Sequence, residues 1–161
     1  MRFVTILFIL AVLGFVAFKL THSRKEENKS ESFEVTKSEA QWKEELSPQA
    51  FQVLRKHATE RPNTSSLNKN KADGVYHCAG CGQALFSSQH KYDSGTGWPS
   101  FYQPIDQGAV GSKTDYKLIV ARTEVHCSRC GGHLGHVFSD GPKPTGERYC
   151  INGVSLKFED K

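Results

Sequence analysis

Cys127-Ser128-Arg129-Cys130-Gly131 repeats the pattern of Cys78-Ala79-Gly80-Cys81-Gly82, and this pair of segments governs how the rest of the chain is read. Two residues between thiolates let both sulfurs turn toward one ion, and the following glycine permits the tight turn beneath it. Together the two Cys-x-x-Cys-Gly knuckles offer Cys78, Cys81, Cys127 and Cys130 as four tetrahedral ligands, which predicts one structural Zn2+ in a closed site. Forty-five residues separate the knuckles, so the ion is expected to join two distant parts of one domain. The rival reading is a pair of disulfides or redox-active dithiols. A redox Cys-x-x-Cys normally opens a helix in a βαβ context, and that context is missing from this sequence. His77 and His126 precede the first cysteine of each knuckle and are candidate substitute ligands; with four sulfurs available they read as ordinary strand residues.

Outward from the knuckles, the sequence from Val75 onward consists of short β-type runs broken by Gly, Pro, Asp and Ser, which predicts a mainly β, compact antiparallel architecture. Residues 116–126 give the clearest strand. Others are expected at 84–87, 134–138, 148–152 and 155–158. Before the sheets, Ser38 with Gln41 three residues on forms a capping box, and Trp42 and Leu46 share one face of a short helix. Ser47 and Pro48 then start a second helix, with Ala50, Phe51, Val53, Leu54 and Ala58 as its apolar face.

The first twenty residues have a different composition. Phe3 to Phe18 is a nearly unbroken apolar run flanked by Arg2 and Lys19, with no acidic residue before Glu26. This is the composition of a signal or membrane anchor. The sixteen residues are slightly short for a bilayer core of about 30 Å, but the flanking cations can snorkel. A spanning anchor with an extracytoplasmic (periplasmic) domain is expected, with a secreted product of signal cleavage as the alternative. Residues 21–36 read as a polar linker and 37–161 as the folded domain. The formal net charge is +4, of which residues 1–30 carry +3, so no basic stripe remains for nucleic acid.

With four cysteines on metal, Cys150 is left over. An odd cysteine is either an inert buried hydrophobe or a reactive thiol. Arg148, Cys150 and Asn152 alternate along an expected strand, which places a cation and an amide beside the sulfur and favours the thiolate. His133 and His136 follow the second knuckle. In a regular strand they face opposite ways, so both reach one site only if Gly135 bends the chain. The turn Ser94-Gly95-Thr96-Gly97-Trp98-Pro99-Ser100 presents Trp98 at a defined angle, either as a core cap or as a pocket wall.

From residue 38 to 158 the chain resembles the methionine-R-sulfoxide reductase B family. The resemblance rests on Thr59-Glu60-Arg61-Pro62, both knuckles, Gly97-Trp98-Pro99-Ser100-Phe101, the run His133 to Phe138 and the run Gly146 to Asn152. It implies two small antiparallel sheets in a sandwich or barrel-like core with short N-terminal helices. It also implies reduction of methionine-R-sulfoxide in oxidised proteins, with Cys150 as nucleophile. His133, His136 and Asn152 would form the polar side of the pocket, and Trp98, Phe138 and Arg148 its substrate-binding walls. Many relatives carry a resolving cysteine in the glycine turn where this chain has Thr96. An oxidised Cys150 would then be recycled by an external thioredoxin-like or small-thiol reductant. Two other classes remain open: a non-catalytic zinc-knuckle binding module, and a membrane-bound thiol-disulfide oxidoreductase using one Cys-x-x-Cys pair.

Overall fold

The computed structural model describes residues 32–116 and 121–161. The expected anchor, residues 1–20, and most of the expected linker lie outside the described residues; among those described, no helix is long and apolar enough to cross a membrane. Phe33 to Lys161 forms one compact unit. Its first residues already rest on the second knuckle: Val35 N–H donates to the Arg129 carbonyl at 3.0 Å, and the Arg129 guanidinium bonds Glu34.

Helix α1 spans Glu39–Glu45 and α2 spans Pro48–Lys56. Ser38 and Gln41 close the capping box reciprocally, at 2.9 Å and 3.3 Å. Ser47 Oγ accepts from Ala50 N–H at 3.2 Å, with Pro48 at the first helical position. Trp42 on α1 and Ala50, Phe51, Val53 and Leu54 on α2 are buried, as their spacing predicts. Ala58, expected on the same face, falls beyond the helix, because His57 adopts the left-handed conformation (φ 55°) and ends it. Glycine or asparagine usually marks such a stop, so the sequence carried no signal there.

The strands are β1 Gly74–Cys78, β2 Ala84–Ser87, β3 Lys91–Tyr92, β4 Ser100–Phe101, β5 Val110–Asp115, β6 Arg122–Cys127, β7 His133–Phe138, β8 Arg148–Ile151 and β9 Leu156–Asp160. They form two antiparallel sheets, β2-β1-β9 and β3-β4-β8-β7-β6-β5. The strand expected from Tyr116 begins instead at Arg122. Asp115 and Arg122 are the last register pair of the β5–β6 hairpin, so the intervening residues are its connection, of which 117–120 lie outside the described residues. Tyr116 itself is 77% exposed. Strand β5 was not expected: it is an edge strand with three consecutive exposed residues, so it lacks the apolar alternation that marks a half-buried strand.

The sheets meet through aromatic side chains. Phe101 on β4 stacks on Phe86 of β2 at 4.4 Å and meets Tyr76 of β1 edge-on at 5.0 Å. All three are fully buried. The knuckles form the second junction, since Cys78 ends β1 of the small sheet and Cys127 ends β6 of the large one. Gly82 (φ +75°) and Gly131 (φ +66°) turn the chain beneath each pair, a conformation that side chains rarely adopt.

Candidate active site

The four knuckle sulfurs converge. Cys78 and Cys130 lie 3.8 Å apart and Cys81 and Cys127 3.5 Å, and all four sulfurs fall within 4.8 Å of one another. A sulfur tetrahedron with metal bonds of about 2.3 Å has edges of roughly 3.8 Å, so this cluster fits a four-coordinate soft cation. Helices α1 and α2 brace it: Arg55 donates to the Cys130 carbonyl at 2.9 Å while its guanidinium lies 4.8 Å from the Trp42 ring. Neither neighbouring histidine joins the cluster. His77 meets the Gly82 carbonyl and Glu159, and the His126 ring packs edge-on against Phe33.

Cys150 is separate from this cluster. It sits on β8 between two register partners, Ser100 on β4 and His136 on β7, whose side chains share its face of the sheet. That face opens into a cleft of about 320 Å³ lined by Cys150, His136, Trp98, Phe138, Arg148 and Asn152, with Thr59, Thr96, Arg122 and Gly135. The Thr96 hydroxyl lies 3.8 Å from the Cys150 sulfur. A larger hollow of about 650 Å³ beside residues 68–73 is lined by no cysteine or histidine.

The two histidines are brought to the same side by a bulge. Val125 pairs with Gly135 and His126 with His133, so Leu134 is an extra residue on β7. The expected irregularity is therefore present, one position before Gly135. Glycine at 135 answers a different need, because a Cβ there would come 2.0 Å from the Cys150 carbonyl oxygen. The imidazoles stand 5.5 Å apart, edge to face. Each has its own buried carboxylate: His136 Nε2 meets Asp115 at 2.8 Å, and His133 Nδ1 meets Glu124 at 2.9 Å. Of the two, only His136 lines the cleft; His133 is 2% exposed.

Comparison with known proteins agrees with this geometry. Residues 46–160 match the SelR domain family. The chain is 56% identical over 128 residues to the peptide methionine sulfoxide reductase MsrB of Leptospira interrogans, covering 80% of this chain and 98% of that one. It is 58% identical over 125 residues to the MsrB of Methanosarcina barkeri (78% and 88% covered) and 51% identical over 125 residues to that of Agrobacterium fabrum (78% and 93%). The chain belongs to the MsrB family.

Within this MsrB-family site, Asn152 is first of all a tie. Its carbonyl oxygen accepts from Glu60 N–H at 3.0 Å and its amide donates to the Leu134 carbonyl at 2.9 Å, leaving one N–H for the cleft. Glu60, which the residue-level reading passed over, holds the same corner. Its buried carboxylate accepts from Gly153 and Val154 N–H, at 2.6 and 3.0 Å, and its backbone carbonyl accepts from the Trp98 indole at 3.1 Å. The only sequence signal for it was the Thr59-to-Pro62 motif. Arg148 is held by a two-pronged bond to Asp140, at 2.8 and 2.9 Å, with its guanidinium 4.3 Å from the Phe138 ring.

Burial pushes the Cys150 thiol up from its ordinary value; Thr96 and Arg148 pull it down without prevailing. Arg148 favours the thiolate, as its place on the strand predicts, but burial outweighs that pull. Burial likewise holds His136 below the usual imidazole range, although Asp115 opposes it. Burial thus opposes the charged form of both groups.

Proposed function

We propose that this MsrB-family chain reduces methionine-R-sulfoxide in oxidised proteins. The observation that carries the reading is that Cys150, apart from the sulfur cluster, faces a cleft with Trp98 and Phe138 on its walls and His136 as register partner. The methyl and thioether groups of the substrate suit the aromatic walls, and the sulfoxide oxygen suits the polar side. Cys150 passes its proton to His136 and attacks the sulfoxide sulfur as thiolate. The attack forms a sulfur–sulfur bond and the imidazolium returns the proton to the sulfoxide oxygen; the hydroxyl then moves to the Cys150 sulfur as the substrate's sulfur–oxygen bond and the new sulfur–sulfur bond break, the electron pair of the latter staying on the substrate sulfur. Thiol plus sulfoxide thus become sulfenic acid plus methionine, with Cys150 oxidised and the substrate sulfur reduced. Acid–base assistance of this kind is typically worth about 10² to 10⁴ in rate. His133 acts through its packing against His136, and the free N–H of Asn152 is available to the substrate oxygen.

The four knuckle cysteines would hold one zinc ion, which supplies a cross-link between the sheets and no part of the reaction. No second thiol stands beside Cys150, since the glycine turn offers the Thr96 hydroxyl, so a thioredoxin-like protein or small thiol must regenerate it. The apolar run of residues 3–18 supports a membrane-anchored enzyme with an extracytoplasmic domain. The assignment is tested by Cys150→Ser in the zinc-loaded protein. Turnover of R-sulfoxide peptides is expected to vanish with zinc content and melting unchanged; retained turnover would refute the nucleophile.

A further inference from the structure

Behind the cleft lies a second group of metal-ligating side chains that the proposed reaction does not use as a unit: His57 at the end of α2, Glu124 on β6 and His133 on β7. We propose that these three residues form a second metal site, selective for a borderline divalent cation such as Co2+, Ni2+ or Zn2+.

The geometry begins with one carboxylate oxygen. Glu124 Oε1 lies 2.9 Å from His133 Nδ1 and 3.0 Å from His57 Nδ1. The three ligand atoms fall within 4.8 Å of one another. Metal–nitrogen and metal–oxygen bonds of about 2.0 to 2.2 Å in a tetrahedron set neighbouring ligand atoms roughly 3.4 Å apart. Two edges, at 2.9 and 3.0 Å, are shorter than that figure and would open on binding. The third is no more than 4.8 Å, and His57 can move: it follows the helix, and its side chain is one-third exposed at 33%.

Hydrogen bonding alone leaves this arrangement incomplete. His57 Nδ1 is buried and close to the carboxylate, yet it makes no well-directed hydrogen bond there. A ligand atom sharing a metal ion with a neighbour is expected to lie off that neighbour's lone-pair axis in this way. The other nitrogen of His133, Nε2, is also buried without a partner among the described residues, so this ring is held on one side only. Glu124 is 4% exposed, so the carboxylate that both imidazoles face is held inside the protein.

The donor set determines the class of ion. Two imidazoles and one carboxylate match zinc and its neighbours in the transition series, whereas calcium and magnesium prefer all-oxygen shells. Three protein ligands leave at least one position for water, unlike the closed four-sulfur cluster. Lys113 lies 3.7 Å from Glu124 Oε2; it is half exposed and can swing away. Glu124 is the register partner of His136, so the site adjoins the wall of the cleft.

Binding is read without turnover, so the test is independent of the reductase assignment. The full-length protein, loaded with a single equivalent of zinc per chain so that the knuckle sulfurs alone are filled, is titrated with Co2+ and followed by calorimetry and visible absorption. One further equivalent is expected to bind, with the spectrum of a nitrogen- and oxygen-ligated ion. In His57→Ala, a partly exposed position whose loss spares the core, affinity for that equivalent falls at least about tenfold. Glu124→Gln, judged only if its melting is preserved, should do the same. No further equivalent in the wild-type protein would overturn the site. So would binding unaffected by His57→Ala, or cobalt entering through the cysteines with thiolate-to-metal charge-transfer absorption.

Discussion

At position 150 two effects oppose each other, and burial outweighs the combined pull of the Thr96 hydroxyl and the Arg148 guanidinium. A thiol raised in this way ionises only above the ordinary value of about 8.5. The rate of Cys150 alkylation by a small neutral reagent should therefore climb with pH to a midpoint above that value, and Arg148→Ala should move the midpoint higher still. A midpoint below the ordinary value would show that the cation prevails over burial. The same residue gives a geometric prediction. Thr96 Oγ1 lies 3.8 Å from the sulfur, so Thr96→Cys should form a disulfide with Cys150 after a single turnover, detectable by mass mapping. The candidate residue was legible in the sequence because subtraction left one cysteine, and it lines the cleft apart from the sulfur cluster. The direction of its pKa was not, because the burial that sets it comes from β4 and β7, far away in the chain.

At the scale of elements, β7 and its neighbours position the site. The bulge at Leu134 turns His133 and His136 to one side, and Gly135 lets the β8 backbone pass close by. Gly135→Ala would force a Cβ against the Cys150 carbonyl and push β8 away, so activity should fall at least about tenfold while the knuckle cysteines, none of which lies on β7 or β8, keep their metal. Parallel assays of turnover and metal content check this. At the N-terminus, Ser47→Ala removes the cap of α2 and should cost about 1 kcal/mol in urea unfolding, with zinc still bound. The helices could be read nearly to the residue because caps and apolar spacing are local signals. The start of β6 could not, because its boundary is set by pairing with β5, an edge strand too polar to announce itself.

Across the whole molecule, the sulfur cluster and the aromatic contacts join a three-stranded sheet to a six-stranded one. The knuckle spacing foretold that the four sulfurs would link distant segments, and they converge at the ends of β1 and β6. Structural zinc contributes on the order of 10 to 16 kcal/mol in small peptides, against a net stability of about 5 to 15 kcal/mol for a domain. Removing it with a strong chelator should therefore abolish cooperative unfolding and near-ultraviolet circular dichroism; an apo form that still melts sharply would show that the aromatic contacts suffice. The second cluster, around Glu124, escaped the sequence because its three members come from α2, β6 and β7 and share no motif. The claim on which the functional account depends is that Cys150 takes oxygen from an R-sulfoxide. The direct measurement is a single turnover of zinc-loaded protein with R- and S-sulfoxide peptides supplied separately, quenched with a sulfenic-acid trap and mapped by mass spectrometry. The R epimer alone should be consumed and the trap found on Cys150; consumption of the S epimer, or a trap on any knuckle cysteine, would refute the nucleophile.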